Sequence, residues 1–286
     1  MTFRQMLPRN RVTRLLLAGC LVGMIAFLAT RSDADAQTNE YVTSVEKGQL
    51  ELNSPDLLAE LERLAEHDHI ALLEMCLDHC QKSYQDYTAT FIKQERIRGI
   101  LRDEQTIEVK YRDVPFSVAL AWTKNAGRGD RLLYIEGQND GKMLVRPAVG
   151  WQRALVGSQV AKDPSGDEAM KSTLRPVTMF GFARGLTNLL DVYRQADAAG
   201  DLEIAFGGYS SVSGRKCIQL VRTLPAKDDY PCHVTEIHID LETLLPICIK
   251  GYDWDGKLAS KYLYQDLQFN VGLRDEHFSP AANGME

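Results

Sequence analysis

Residues 115–123 read PFSVALAWT, and they carry the clearest strand pattern in the chain. Large and small side chains alternate along this stretch, so the large ones share one face of a strand and the small ones share the other. The large side chains are Phe116, Val118, Leu120 and Trp122. Because neither face carries a charge, we expect both faces to contact protein or ligand.

Similar segments, rich in β-forming residues and separated mostly by Gly, Asp or Asn turns, predict ten further strands. They are residues 87–95, 105–112, 131–136, 142–147, 151–155, 202–206, 216–223, 233–240, 245–252 and 257–269. Their connections are mostly short, and short connections force neighbouring strands to be antiparallel. A sheet of this size must also curl, split or close to protect its edges.

Helical signals precede and interrupt the strands. Ser54 and Pro55 form an N-cap followed by proline at the first helical position, and apolar stripes predict two helices with a break at residues 67–69. A third helix is predicted between the sixth and seventh strands, with Thr178 as its N-cap and Phe180 on its apolar side. The predicted fold is therefore mainly β (α+β): a large curved antiparallel sheet or half-open β-barrel of about eleven strands, with helices covering the open side.

The amino terminus has the pattern of an export signal. Four arginines precede an apolar run at residues 15–29, and ADA at residues 34–36 has the small-x-small pattern of a signal-peptidase site. We predict a signal peptide at residues 1–36, cleaved after Ala36, and a periplasmic or otherwise extracytoplasmic mature protein. The apolar run is shorter than the ~17 to 25 residues that span a bilayer. An uncleaved N-terminal anchor is therefore the second choice, and acylation at Cys20 is the third.

The remaining chain divides into two parts. Residues 37–53 are polar with little periodicity and predict a flexible linker, and residues 54–286 predict a single half-barrel domain with N-terminal helices. In the whole chain, 39 Asp and Glu residues outnumber 33 Lys and Arg residues, which gives a net charge of −6 at pH 7. This balance disfavours nucleic-acid-binding proteins, whose usual sign is a basic surface.

Several short motifs follow one another along the chain. They are KQER at 93–96, PFSV at 115–118, DPSG at 163–166, RPVT at 175–178 and, towards the end, Asp240, Pro246, Tyr252, Tyr264, NVGL at 270–273, Asp275 and Phe278. Through these motifs the chain resembles the bacterial family called domain of unknown function 1571, from about Leu72 to Phe278. That family has no established activity, so the resemblance implies a fold more than a function.

The derived topology is also similar to that of LolA-type periplasmic lipoprotein carriers, which are half-open barrels closed by helices that bind acyl chains or lipidated peptides. This resemblance implies a binding protein without a reactive group, because burial of an acyl chain contributes about 0.8 kcal/mol per methylene. The expected ligand-binding residues are Phe91, Phe116, Val118, Leu120, Trp122 and Phe180. The alternative for each of them is an ordinary filled core, since small barrels are usually packed inside.

Three functions stay open on the sequence alone. The first is an exported, membrane-proximal carrier of a lipid, a lipoprotein acyl chain or another apolar ligand, with no cofactor and no catalytic residue. The second is an envelope assembly or sensing module that binds a protein partner. The third is a hydrolase or metal enzyme with an unfamiliar site. The sequence has no G-x-S-x-G, P-loop, dinucleotide or H-E-x-x-H motif, which favours a non-enzymatic role.

One cluster has metal-ligand chemistry, and its members are His67, His69, Cys76, His79 and Cys80. Cys76 and Cys80 lie one helical turn apart on an apolar stripe, where cysteine acts as a small hydrophobe. We therefore expect a structural core and no metal site. The chain after the leader keeps five cysteines, an odd number, and neither Cys232 nor Cys217 is in register to pair with Cys248. No disulfide is assigned.

Four charged residues of the motifs have two roles open. They are Glu95, Arg96, Asp163 and Arg175. They either pair with one another to hold the long loop against the sheet, or contact the head group of a ligand, for which the arginine fork is well shaped. The structural role is the commoner one.

Overall fold

The computed structural model describes residues 41–45 and 54–286. The predicted signal peptide and its cleavage site lie outside these ranges. A four-residue strand, β1 (Val42–Val45), falls within the segment that the sequence predicts to be a linker. The helices and the other strands belong to one structural unit, which includes residues 54–286.

Two helices begin this unit, as the capping residues predict. In α1 (Pro55–His67), the Ser54 side chain accepts a backbone N–H of the first turn at 3.3 Å. Asp68 ends α1, and its own side chain caps α2 (His69–Ser83) with a hydrogen bond of 2.9 Å. The predicted break between two helices is confirmed.

Twelve strands follow the two helices. They are β2 (Asp86–Ile97), β3 (Ile100–Leu101), β4 (Gln105–Arg112), β5 (Ser117–Lys124), β6 (Gly129–Ile135), β7 (Met143–Pro147), β8 (Val160–Lys162), β9 (Glu203–Val212), β10 (Arg215–Thr223), β11 (Val234–Asp240), β12 (Pro246–Tyr252) and β13 (Leu258–Phe269). Their order across the sheet is β9-β10-β11-β12-β13-β2-β4-β5-β6-β7-β8, and β3 pairs with β2. Every one of these pairs is antiparallel, which confirms the predicted fold class.

The sheet is curved, and in the part of the chain that the structure describes it does not close into a barrel. Register shifts occur in six strand pairs: β9–β10, β11–β12, β12–β13, β13–β2, β4–β5 and β6–β7. A bulge bends a strand and increases its twist. Shifts spread over the whole sheet therefore account for the curvature.

Three further helices interrupt the strands: α3 (Gly150–Val156), α4 (Asp167–Met170) and α5 (Phe182–Ala198). α5 packs against α2, and α1 packs against β9 and β10. Tyr193 and Leu190 of α5 are fully buried. The helices thus add a second layer to the sheet.

Two predictions of local structure are wrong. Residues 151–155 belong to the helix α3, not to a strand. Trp151 and Leu155 fit an alternating pattern, but they also lie one helical turn apart, and the segment has no β-branched residue. The predicted start of the third helix is wrong as well: Thr178 lies in the 3-10 turn Val177–Met179 and does not cap the helix, and Phe180 lies before the helix.

Gly181 determines where α5 begins. Its φ angle is +106°, and a Cβ at this position would overlap the ring of Tyr111. Only glycine tolerates both the backbone conformation and the close approach, so the helix starts one residue later, at Phe182. The short strands β3 and β8 have no counterpart in the prediction, because two or three residues show no alternation.

Both faces of β5 contact protein, as the sequence indicates. On the face with small side chains, Ala119 packs in a cluster with Leu133, Ile135, Phe278 and Met285. On the face with large side chains Val118 is buried, and so is Phe116 directly before the strand. The C-terminal segment therefore covers one side of β5, and the other side faces the interior of the curved sheet.

Candidate ligand-binding cavity

A cavity of about 730 Å³ lies between the sheet and the segments that cover it. Four neighbouring strands contribute a row of side chains to one wall. The register places Tyr264 beside Phe91, and it places Ile107 between Phe91 and Trp122. Since directly paired residues of antiparallel strands share a face of the sheet, the four side chains form one continuous apolar surface.

A second row continues this surface across β5, β6 and β7. Leu120 pairs with Leu132, and Leu132 pairs with Val145. Leu132 and Val145 are only half-buried although they face the interior of the fold. We call the seven residues of the two rows the apolar floor: Phe91, Ile107, Leu120, Trp122, Leu132, Val145 and Tyr264.

The opposite wall comes from α5 and the turn before it. Phe180 approaches the apolar floor edge-on, with its ring centroid 5.3 Å from that of Phe91. Phe182 lies 4.5 Å from Tyr264 between ring centroids. Gly185 also lines the cavity, and a Cβ at this position would meet no atom within 4 Å. The helix therefore faces open space at Gly185.

The structure brings four of the six predicted ligand-binding residues to the cavity. They are Phe91, Leu120, Trp122 and Phe180. Phe116 and Val118 are buried and are not among the residues that line it. For these two residues, the filled-core alternative describes the structure.

The packing around the start of β5 explains this division. The Arg184 guanidinium lies 3.8 Å from the centroid of the Phe116 ring. Val118 pairs with Tyr111 on one side and Tyr134 on the other. Large neighbours therefore fill the space over the first half of the strand, and the hollow lies over its second half.

One end of the cavity is charged. Lys93 of β2 pairs with Gln105 of β4, and Thr106 of β4 pairs with Lys124 of β5. The end of β2, the beginning of β4 and the end of β5 therefore lie at the same edge of the sheet. Loops at this edge and the segment that follows β8 bring charged side chains to the cavity. We call this set the charged end, and its described members are Lys93, Arg102, Arg128, Lys162, Lys171, Arg175, Glu95, Asp103 and Glu168.

Glu95 is buried at the charged end and is held by its neighbours. Tyr262 Oη donates to Glu95 Oε1 at 2.7 Å, and Lys93 Nζ lies 3.2 Å from Glu95 Oε2. Lys93 Nζ also donates to Thr173 Oγ1 at 3.3 Å, and the Arg175 guanidinium lies 5.6 Å from the centroid of the Tyr262 ring. Burial and the Glu95 carboxylate raise the pKa of Tyr262, so its hydroxyl remains a donor. These contacts tie the segment between β8 and α5, residues 163–181, to the sheet.

The other two charged residues of the motifs lie away from the cavity. Arg96 Nε donates to the carbonyl of Leu258 at 2.9 Å. Asp163 Oδ1 accepts the backbone N–H of Ser165 at 2.9 Å within a turn. Both make local structural contacts, but among the described residues neither forms an ion pair with another of the four charged motif residues.

Glu168 of α4 forms an ion pair with one basic side chain and lies in the field of two others. Lys162 Nζ lies 2.7 Å from Glu168 Oε1. This contact, together with the charges of Arg128 and Lys171, lowers the pKa of Glu168. Sequence reasoning missed these basic residues. The available signal for Arg128 was its place beyond the end of a predicted strand, at the edge that also holds Lys93.

The histidine and cysteine cluster is part of the helix packing. His69 is buried, with Nε2 2.8 Å from the Ala65 carbonyl oxygen and Nδ1 3.3 Å from Tyr193 Oη, and burial lowers its pKa to about 4. Cys76 and Cys80 are buried free thiols, and burial raises the pKa of each to about 12. Within residues 41–45 and 54–286, no group of three His, Cys, Asp or Glu side chains is placed to hold a metal ion.

The fold is thus a curved, unclosed antiparallel sheet with few helices, and its cavity is apolar along the strands and charged at one end. The family described as "Protein of unknown function (DUF1571)" matches residues 84–285. This range is more than half of the chain, so the chain belongs to that family. No curated protein matches the sequence. Among the described residues, no helix combines the length and the apolar character needed to cross a membrane.

Solved structures show likenesses of fold alone. A chain of the Pseudomonas aeruginosa MucA/MucB complex is 18% identical, with a TM-score of 0.45 over 76% of this chain and 62% of that one. Lipoprotein LppX of Mycobacterium tuberculosis is 13% identical, with a TM-score of 0.42 over 72% of this chain and 96% of that one. A LolA superfamily protein from Nitrosomonas europaea is 11% identical, with a TM-score of 0.31 over 73% of this chain and 98% of that one. The chain thus spans about three fifths of the MucA/MucB-complex chain that it matches.

Proposed function

We propose that this protein is an exported binding protein that holds the acyl chain of a lipid or of a lipidated protein on the apolar floor. One observation carries the proposal: Leu132 and Val145 are apolar and face the interior, yet they are only half-buried beside a cavity of about 730 Å³. This volume falls in the range of ~300 to 1,000 Å³ that is typical of small-molecule sites.

The chemistry of the apolar floor suits a hydrocarbon chain. Each methylene removed from water contributes about 0.8 kcal/mol, so a chain of about twelve methylenes contributes roughly 10 kcal/mol before the cost of immobilisation. Reversible burial of this kind needs no covalent step. The proposed function is therefore transport or presentation of an apolar ligand, not its conversion.

Export is part of the same proposal, and it is supported by the signal pattern of residues 1–36. N-terminal sequencing of the protein recovered from a bacterial periplasm tests it. We expect the mature chain to begin at Gln37, and a chain that keeps its first residues contradicts cleavage.

A titration with a fluorescent fatty acid tests the cavity directly. Gly185→Phe places a ring in the cavity where a Cβ meets no atom within 4 Å, and we expect it to lower the affinity at least about tenfold, or about 1.4 kcal/mol. Gly185→Ala is the matched control, which adds only a methyl group and should bind like the wild type. Both changes remove a glycine from α5, and the alanine variant gains about 1 kcal/mol of helix stability.

Two results contradict the proposal. One is saturable binding that Gly185→Phe leaves unchanged, because the fatty acid then binds elsewhere. The other is the failure of the wild-type protein and of Gly185→Ala to bind saturably, provided that both unfold cooperatively in urea.

A second function, binding of a protein partner, is favoured by one surface feature. Val149, Trp151 and Leu155 are exposed by 45%, 64% and 74% on and beside α3. Exposed apolar groups of this kind mark interaction sites. This function leaves the interior cavity unexplained, so ligand binding remains the first proposal.

A further inference from the structure

The cavity surface changes from apolar to charged along the strands. On β2, Phe91 is followed on the same face by Lys93 and then by Glu95. On β4, Ile107 is preceded on the same face by Gln105. A ligand that follows the strands therefore meets hydrocarbon at one end of the cavity and charge at the other.

The charge of this end is opposite in sign to that of the whole chain. Its described members are six basic and three acidic residues, whereas the chain as a whole has 33 basic and 39 acidic residues. A local excess of one sign beside an apolar wall attracts a ligand group of the other sign. The excess here attracts an anion.

The acidic residues of the charged end leave several basic ones without a partner. Glu95 pairs with Lys93, and Glu168 pairs with Lys162. Asp103, the third acidic residue, forms no ion pair among the described residues, so it offsets one of the remaining positive charges. Four basic side chains of the charged end form no ion pair within 4.0 Å among residues 41–45 and 54–286: Arg102, Arg128, Lys171 and Arg175.

Arg175 is the best-positioned member of this set. Its guanidinium lies 5.6 Å from the centroid of the Tyr262 ring, which is itself held by the hydrogen bond from its hydroxyl to Glu95. Stacking on an aromatic face orients the guanidinium, and its planar donors match a carboxylate or a phosphate in a bidentate way. Arg175 is exposed, so an anion can reach its guanidinium from the open side of the cavity.

We propose that the charged end binds an anionic head group, a carboxylate or a phosphate, of an amphiphile whose chain lies on the apolar floor. The inference rests on the proposed function and adds the chemical class of the ligand. A neutral head group leaves the four basic side chains unpaired, and a cationic head group is repelled by them.

Isothermal titration calorimetry with four probes tests the inference: palmitate, hexadecanol, hexadecyltrimethylammonium and inorganic phosphate. We expect palmitate to bind at least about tenfold more tightly than hexadecanol, which corresponds to one charge-assisted contact. The cationic amphiphile should bind more weakly than hexadecanol. The preference for palmitate should decrease at high salt, because the charged end is partly exposed.

Three variants locate the effect. Arg128→Gln with Lys171→Gln should lower palmitate affinity about tenfold and leave hexadecanol affinity unchanged. The matched control, Lys82→Gln with Arg194→Gln, removes the same charge from exposed ion pairs on α2 and α5 and should change neither. Arg175→Lys keeps the charge but loses the planar donors, so it should retain only part of the preference.

The outcomes separate this inference from the proposed function. Equal binding of palmitate and hexadecanol overturns the head-group site and leaves an acyl-chain carrier. Failure of both to bind overturns the head-group site together with the carrier. Binding of phosphate as tight as that of palmitate shows that the charged end takes a free anion, and it overturns the amphiphile.

Discussion

The two halves of the sheet follow similar alternating patterns, yet one half is filled and the other is hollow. Every residue of β11 is buried. β12 marks the border between the halves, because its single half-buried residue, Ile249, lines the cavity. In β6, four of seven residues are only half-buried. The difference cannot come from strand chemistry alone, since both halves are rich in apolar side chains.

The covering segments explain the difference. α1 lies directly on β9 and β10, and Tyr193 of α5 meets the guanidinium of Arg222 at 4.9 Å from its ring centroid. Over the apolar floor, the cover is the largely irregular segment 162–181, which contains only the four-residue helix α4 and a 3-10 turn, and the part of α5 that contains Gly185. A regular helix laid on a sheet interdigitates with it and fills the space. An irregular cover with a glycine at the contact leaves room for a ligand.

Truncation of one leucine in each half should show the largest difference in the free energy of unfolding. Leu220 on β10 is fully buried, whereas Leu132 on β6 is half-buried and faces the cavity. We expect Leu220→Ala to lower the free energy of unfolding by about 3 kcal/mol, within the usual cost of a new cavity in a packed core. Leu132→Ala should cost less than about 1 kcal/mol, because its side chain already borders a cavity.

Urea unfolding of the two variants measures this difference. Similar slopes of the transition for both variants serve as the control, since they show that the unfolded states are comparable. Equal losses of stability would mean that the floor is as tightly packed as the core, which contradicts the hollow half.

The dependence of the free energy of unfolding on pH should show the next largest effect. It should arise from His69, which is buried beneath the helices on the filled half. Burial lowers the pKa of His69 to about 4, whereas an unfolded histidine titrates near pH 6.5. Below pH 6.5 the unfolded chain therefore binds more protons than the folded one. The stability is fully present above that pH and is lost as the pH falls towards 4, by about 2 kcal/mol between pH 7.5 and pH 5.

Urea unfolding at these two pH values, on the wild type and on His69→Gln, isolates the contribution of this residue. The variant should lose most of the dependence between pH 7.5 and pH 5. His67→Gln is the control, because the His67 side chain is largely exposed, and it should behave like the wild type. The same pH dependence in His69→Gln as in the wild type would show that other groups are responsible.

The strands and the first helices could be predicted because their signals are local. The predicted strand at residues 105–112 coincides with β4, and Ser54 with Pro55 marks the start of α1. Residues 151–155 were ambiguous for the same reason, since a spacing of four residues suits a helix as well as a strand. Local patterns determine which face a side chain takes, and they leave open what lies above it.

The cavity depends on packing between distant segments, and it could be predicted only in part. Leu120 and Trp122 are expected to line it because the alternating pattern of residues 115–123 puts them on one side. The same pattern includes Phe116 and Val118, which Arg184 and neighbouring tyrosines cover. The basic residues of segment 162–175 follow no period. Their place at the charged end comes from tertiary contacts such as that between Lys93 and Thr173.

Native mass spectrometry of the protein purified without detergent, followed by organic extraction, tests the central claim most directly. We predict a mass above that of the polypeptide by one anionic amphiphile, which the solvent releases and which Gly185→Phe lacks. A mass equal to that of the polypeptide alone, with a thermal transition that added fatty acid does not shift, would contradict the claim that the hollow half of the sheet is a ligand site.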